Sequence, residues 1–136
     1  HVPAPVAGCV GLTVGTFVLD TNIILYFLGG RLEDALPDGQ YAVSVISELE
    51  LLAYPGLTTP ESERVKAFLA DIAIVELTPL VKTHAVEIRK RFSLKLPDAI
   101  IAATAQALDA TLVTNDQRIL ALPELHTQSL RLSNRP

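Results

Sequence analysis

Short apolar runs alternate with helix-forming segments along most of this chain. We predict strands, in chain order, at residues 17–20, 41–45, 73–77, 111–114 and 127–132. The first four runs are almost continuously apolar, which is typical of strands that are buried on both faces. Strands that alternate with helices predict a parallel sheet covered by helices on both sides. The pattern therefore predicts an α/β fold.

The predicted helices are bounded by recognisable start and stop signals. We predict them at residues 22–28, 31–36, 48–54, 61–71, 79–92, 96–108 and 117–122. Gly29 and Gly30 end the first of these helices, Ser47 is the predicted N-cap of the third, and Pro79 opens the fifth. The fifth predicted strand, at 127–132, is expected to lie at an edge of the sheet.

Composition limits the class of protein. The chain has 136 residues, 49% hydrophobic and 19% charged, which favours one domain with a sizeable core. The net charge of −4 argues against a protein that coats nucleic acid, although it leaves a nuclease possible. A single cysteine, Cys9, excludes an intrachain disulfide and fits a reducing compartment, so we predict a cytoplasmic location. Residues 2–19 are uncharged, but their prolines and glycines argue against a membrane helix.

The domain is predicted to span residues 16–136. Residues 1–15 are predicted to be an N-terminal extension, either native or derived from an expression vector.

Four acidic residues stand where predicted strands end or predicted helices begin. They are Asp20, Glu50, Asp98 and Asp116. Asp20 and Asp116 follow strands, and the carboxyl ends of parallel strands are where such sheets bind ligands. Clustered carboxylates repel each other, and a divalent cation with oxygen ligands is the usual compensation. The pattern predicts a metal site that serves phosphodiester chemistry.

Each aspartate also has a structural interpretation. Asp20 could cap the helix that follows it, and Asp98 could complement the dipole of its own helix. Asp116 could be an ordinary turn residue after a strand.

The glutamate of the site is ambiguous. Glu48 and Glu50 lie about 200° apart around a helix, so they cannot both face one site. Ser47 and Glu50 also match a capping box, which would give Glu50 a structural role.

The acids lie in four segments that occur in a characteristic order. The segments are FVLDTN at 17–22, SVISELELL at 44–52, LPDAIIAATA at 96–105 and LVTND at 112–116. With these four segments in this order, residues 16–132 of the chain resemble the PIN-domain family. Within the family it is most similar to the VapC-type toxin ribonucleases of bacterial type II toxin–antitoxin systems.

The resemblance implies a fold, an activity and partners. The implied fold is a three-layer α/β/α sandwich with a central, mostly parallel sheet of four to five strands. The implied activity is that of an endoribonuclease dependent on Mg²⁺ or Mn²⁺, and the implied partners are RNA, a second copy in a homodimer and an antitoxin that covers the site. It also implies that the catalytic and metal-binding residues are Asp20, Glu50, Asp98 and Asp116, with Glu50 favoured over Glu48.

Short polar residues flank the acids. They are Thr21, Asn22, Thr114 and Asn115. By resemblance, Thr114 and Asn22 orient the acids or the scissile phosphate; capping of backbone groups is the alternative.

Basic residues are dense before Asp98, and Arg89, Arg91 and Lys95 are the candidate RNA-binding residues among them. A solvated helix face is the alternative interpretation of this cluster. Because the chain has few aromatic residues and no Trp, extensive base stacking is not expected.

Two other functions fit parts of the pattern. A catalytically silent PIN-like interaction module would typically lack one or more of the acids, whereas all four positions are filled here. A haloacid dehalogenase-type phosphatase would need a second Asp two positions after Asp20, where this chain has Asn22, and no cap-sized insertion is evident.

Overall fold

A computed structural model describes residues 15–134, so the predicted N-terminal extension lies outside the described residues except for Gly15. Within this range, five strands form one sheet in the order β3-β2-β1-β4-β5, and every pairing between them is parallel. The strands are β1 (Thr16–Leu19), β2 (Gln40–Ser44), β3 (Ala73–Val75), β4 (Thr111–Val113) and β5 (Thr127–Gln128). The predicted α/β fold with a parallel sheet is confirmed.

Six helices cover the sheet in the described part of the chain. They are α1 (Thr21–Leu28), α2 (Val45–Leu52), α3 (Thr59–Asp71), α4 (Pro79–Arg91), α5 (Leu96–Ala107) and α6 (Gln117–Leu120). None of these helices is long and apolar enough to cross a membrane.

Neighbouring residues of the central strands point to opposite faces and supply two separate cores. Val18 and Leu112 belong to the cluster that α4 and α5 complete. Leu19 and Val113 belong to the cluster that α1, α2 and α3 complete. Because side chains alternate along a strand, a fully apolar strand contributes side chains to the hydrophobic cores on both faces of the sheet. The chain therefore forms three layers, with helices on each side of the sheet.

The predicted helix at 31–36 is wrong. Leu32 forms an isolated antiparallel bridge with Leu132, and Asp34 makes an ion pair with Arg131 at 2.8 Å. The predicted strand at 127–132 is shorter than expected, since only Thr127–Gln128 pair with β4 and the backbone of Leu130 pairs with the side chain of Asn115 instead. In the segment at 31–36, the N–H of Glu33 binds the carbonyl of Arg131, and the carbonyl of Arg31 binds the N–H of Ser133. Because these partners lie far along the chain, the local sequence cannot reveal them.

The start of α2 also differs from the prediction. The helix begins at Val45, and its N-cap is Ser44, whose hydroxyl accepts a hydrogen bond from the Ile46 N–H at 3.0 Å. Ser47 lies inside the helix and is fully buried, so the predicted Ser47 cap and its capping box with Glu50 are wrong. Strand β2 passes into α2 without a loop. The first two residues of α2, Val45 and Ile46, are β-branched, so the local sequence predicts that the strand continues.

Candidate active site

The four acids predicted from the sequence come together at the carboxyl edge of the sheet. Asp20 follows β1, Asp116 lies just beyond β4, Asp98 is in the first turn of α5, and Glu50 is on α2. Charges on Asp116 and Glu50 raise the pKa of Asp98, and charges on Asp98 and Asp116 raise the pKa of Asp20. Asp98 thus interacts electrostatically with each of the other three acids, and hydrogen bonds through Thr21 and Thr114 connect those three. We call the four residues the acidic cluster.

Asp20 is the most buried acid of this cluster, with 8% of its surface exposed. One carboxylate oxygen accepts a hydrogen bond from the Thr21 N–H at 2.8 Å, and the other accepts one from the Thr114 hydroxyl at 2.6 Å. Burial raises the pKa of Asp20 above its usual value of 3.8, whereas these two hydrogen bonds lower it. Asp20 is also the N-cap of α1. The capping role and a place in the acidic cluster therefore coexist.

Thr114 links Asp20 to Asp116. Its hydroxyl donates to Asp20 and accepts a hydrogen bond from the Asp116 N–H at 3.0 Å. Asp116 is in turn the N-cap of α6, where its carboxylate accepts from the Arg118 N–H at 2.9 Å. The residues that follow β4 thus place this acid beside the first one.

Asp98 is half-buried, and its charge is poorly compensated. Burial raises the pKa of Asp98 above 3.8, and the negative charges of Asp116 and Glu50 raise it further. The positive charges of Lys95 and Arg118 lower the pKa of Asp98, but their effects are smaller than those of burial and the two acids. The ionised form of this carboxylate is therefore destabilised in the folded protein.

The structure distinguishes between the two glutamates. Glu50 accepts a hydrogen bond from the Thr21 hydroxyl at 2.6 Å and acts on the pKa of Asp98. Glu48 acts on the pKa of neither Asp98 nor Asp20. Glu50 is therefore the glutamate that lies in the cluster.

The four flanking polar residues have different surroundings. Thr21 and Thr114 bind the carboxylates directly. Asn22 is exposed in the first turn of α1. The side chain of Asn115 pairs with both the N–H and the carbonyl of Leu130, at 2.9 and 2.8 Å. It therefore holds the segment after β5 next to the end of β4.

Two of the three candidate RNA-binding residues contact other parts of the protein. Arg89 donates a hydrogen bond to the carbonyl of Leu94, in the connection between α4 and α5. Arg91 forms an exposed ion pair with Glu124 at 3.5 Å. These contacts favour structural roles for both arginines.

Lys95 and Arg118 are the basic residues that act electrostatically on Asp98. Both are exposed, and both lower the pKa of Asp98. Sequence reasoning missed Arg118, which lies outside the basic cluster. Its position two residues after Asp116, in the helix that this acid caps, is the signal that could have found it.

The donor set suits a hard divalent cation. All four side chains offer carboxylate oxygens, and Mg²⁺ binds such oxygens through one or two carboxylates while it keeps several waters. Within residues 15–134, no three His, Cys, Asp or Glu side chains converge tightly enough to hold one ion between them. The kind of donor therefore suits a hard divalent cation, which one or two of these carboxylates would hold.

The fold and the site together indicate a class of protein: a parallel α/β domain with an acidic cluster at the carboxyl edge of its central strands. The sequence model of the PIN domain matches residues 17–125, so the chain belongs to the PIN-domain family. This membership argues against the haloacid dehalogenase alternative. None of the curated protein sequences matches the chain significantly.

Solved structures of toxin–antitoxin complexes share the fold. One chain of VapBC2 from Rickettsia felis, bound to a promoter DNA fragment, is 21% identical with a TM-score of 0.71, covering 85% of this chain and 99% of that one. A chain of a toxin–antitoxin complex from Klebsiella pneumoniae is 29% identical with a TM-score of 0.65, covering 79% and 93%. A chain of VapBC-5 from Mycobacterium tuberculosis is 22% identical with a TM-score of 0.66, covering 86% and 98%.

Proposed function

We propose that this protein is a divalent-metal-dependent endoribonuclease and the toxin of a type II toxin–antitoxin pair. The observation that carries the proposal is the acidic cluster at the carboxyl edge of a PIN-domain sheet, three of whose members are connected by hydrogen bonds through Thr21 and Thr114. The similarity to chains from toxin–antitoxin complexes supports the biological role.

Hydrolysis of a phosphodiester needs an activated water and compensation for the charge that develops on the phosphate. Of the proposed ligands Asp20, Asp98 and Asp116, one or two would hold Mg²⁺ or Mn²⁺ directly. The others would act through waters of the ion, and Glu50 would complete the site directly or in the same way. The ion, when bound, lowers the pKa of a water and neutralises phosphate charge. The protein's own contribution is to keep the carboxylates in place, and Thr21 and Thr114 do so through hydrogen bonds of 2.6 Å.

The proposed partners are RNA, an antitoxin and a second copy of the chain, in the cytoplasm. The antitoxin would cover the acidic cluster and block access of RNA. An apolar groove between α4 and α5, lined by Leu77, Val86 and Leu96, supports dimer formation, because each of these three residues is at least 40% exposed. A silent PIN-like interaction module remains the alternative function.

Cleavage of RNA by the purified protein tests the activity. We expect cleavage with Mg²⁺ or Mn²⁺, complete loss when EDTA removes the ion, and recovery when Mn²⁺ is added back, because the acids alone cannot neutralise the phosphate. Fragment lengths on a denaturing gel are the measurement. Cleavage that persists in EDTA would contradict the metal requirement. Absence of cleavage with either ion, on both folded and unfolded RNA, would favour the silent module.

Lys95 and Arg118 are proposed to contact the RNA backbone beside the acids. Replacing Arg118 with Gln is expected to raise KM severalfold, to leave kcat nearly unchanged, and to reduce the slope of log KM against log salt by about 1, because one phosphate contact is lost. Steady-state kinetics at several salt concentrations measure both quantities. Lys66→Gln is the matched control, since it removes one exposed positive charge from α3. Equal effects of the two substitutions would refute the contact.

A further inference from the structure

We propose that Ser47 and Thr21 are positioning residues that act on the reaction through Glu50. A chain of hydroxyl groups runs from Ser47 in α2, through Thr21 in α1, back to the carboxylate of Glu50 in α2. The inference rests on the proposed nuclease function, and it assigns a role to Ser47 that the sequence pattern did not suggest.

The chain is short and mostly shielded from water. The hydroxyl oxygens of Ser47 and Thr21 are 2.9 Å apart, and the Thr21 oxygen lies 2.6 Å from a carboxylate oxygen of Glu50. Ser47 is fully buried and Thr21 is 8% exposed, whereas Glu50 is exposed. Ser47 and Glu50 are three residues apart, so they project from the same side of α2 towards Thr21.

The direction of each hydrogen bond follows from the inventory of donors. The Thr21 hydroxyl has one proton, and an ionised Glu50 can only accept. Thr21 therefore donates to Glu50, and Ser47 donates to Thr21. Each hydroxyl is thereby held in one orientation, and the bond to the carboxylate is charge-assisted, which makes it the stronger of the two.

This arrangement makes Thr21 a link between two acids. Its hydroxyl binds Glu50, and its backbone N–H binds Asp20 at 2.8 Å. An exposed glutamate on a helix otherwise samples many rotamers. The hydroxyl chain restricts the Glu50 side chain to rotamers that keep its carboxylate against Thr21, where it acts on Asp98. Thr114 makes a different link, because its hydroxyl donates to the carboxylate of Asp20 and accepts from the backbone N–H of Asp116. The two threonines together connect all of the acids except Asp98.

Three substitutions and the affinity for Mn²⁺ test the proposal. Thr21→Val keeps the shape and removes the hydroxyl, and we expect it to weaken Mn²⁺ binding and kcat about tenfold to a hundredfold, the usual effect of losing a partner that orients a metal ligand. Ser47→Ala is expected to act in the same direction by a smaller factor. Thr21→Ser restores the hydroxyl and is expected to bind Mn²⁺ nearly as well as the wild type. Calorimetric titration of the apoprotein with MnCl₂ measures the affinity without any RNA.

A double-mutant cycle shows whether the effect passes through Glu50. In a Glu50→Gln background, Thr21→Val is expected to have little further effect on the affinity for Mn²⁺. Full additivity of the two changes, or failure of Thr21→Ser to restore binding, would overturn the proposal, as would a wild-type protein that binds no Mn²⁺. Circular dichroism verifies that each variant is folded. If Thr21→Val does not fold, Ser47→Ala replaces it in the double-mutant cycle. If Mn²⁺ binding shows the coupling while wild-type protein cleaves no RNA, the positioning role stands and the nuclease function falls.

Discussion

Replacing Asp98 with Asn is expected to reduce RNA cleavage by at least about a hundredfold and to make the metal-free protein more stable. Cleavage falls because the substitution removes a proposed metal ligand. Stability rises because Asp98 carries a charge that the folded protein disfavours: burial raises its pKa above 3.8, and Asp116 and Glu50 raise it further. We expect this cost to exceed the favourable interaction of a first-turn carboxylate with the dipole of α5, which the substitution also removes. Since Asp98 is partly open to solvent, which screens these interactions, the gain is on the order of 0.5–1 kcal/mol, or roughly 2–4 °C in Tm.

The gain depends on pH in a defined direction. A carboxyl group with a raised pKa binds more protons in the folded state than in the unfolded state, so the free energy of unfolding decreases as pH rises from 3.8 through the folded pKa. Above the folded pKa the cost of the charge is fully present, and below 3.8 it is absent. The difference between Asp98→Asn and wild type is therefore expected at neutral pH and should vanish in acid. Urea unfolding at several pH values measures it, and a gain that is equal at all pH values would contradict the electrostatic cause.

Asp109→Asn is the matched control for Asp98→Asn. It makes the same chemical change at the other end of α5, at an exposed position with φ of 51°. Asn tolerates this left-handed conformation as well as Asp does, so cleavage is expected to stay at the wild-type rate.

Induction of the wild-type protein in bacteria is expected to arrest growth, whereas Asp98→Asn should leave growth intact. Normal growth with the folded wild type, in the absence of an antitoxin, would contradict the toxin role.

Substitution of Glu50 and Glu48 is expected to have sharply different effects. Glu50→Gln should lower kcat on the order of tenfold to a hundredfold, because the charge that faces Asp98 is lost. Glu48→Gln should leave kcat within about twofold and reduce stability slightly, because an acid in the first turn of α2 complements the helix dipole. Single-turnover cleavage with saturating Mn²⁺ compares the two directly. Equal losses, or a larger loss for Glu48→Gln, would show that the site assignment is wrong.

Much of the fold could be predicted from sequence because its signals are local. Apolar runs such as residues 17–19 and 111–113 must be buried on both faces, and the intervening helices supply that cover. Helix α3 shows the same locality, since Pro60 and the pair of Thr58 and Glu61 mark its start within a few residues. The predicted helix at 31–36 failed because nothing within it shows that Leu32 and Asp34 have partners near the end of the chain.

The sequence by itself predicted the parallel sheet, with Asp20 and Asp116 at the carboxyl ends of strands and Asp98 in the first turn of a helix, because strand burial and chain order are properties of neighbouring residues. The family resemblance favoured Glu50 over Glu48, and the tertiary structure supplied the contacts that connect Glu50 to the aspartates. Ser44, not Ser47, caps α2, and this start turns Glu50 towards the hydroxyl of Thr21 on another helix. The tertiary structure also showed that Arg118 acts electrostatically on Asp98, whereas Arg89 and Arg91 contact Leu94 and Glu124. These choices depend on contacts between segments far apart in the chain, and only the folded protein brings those segments together.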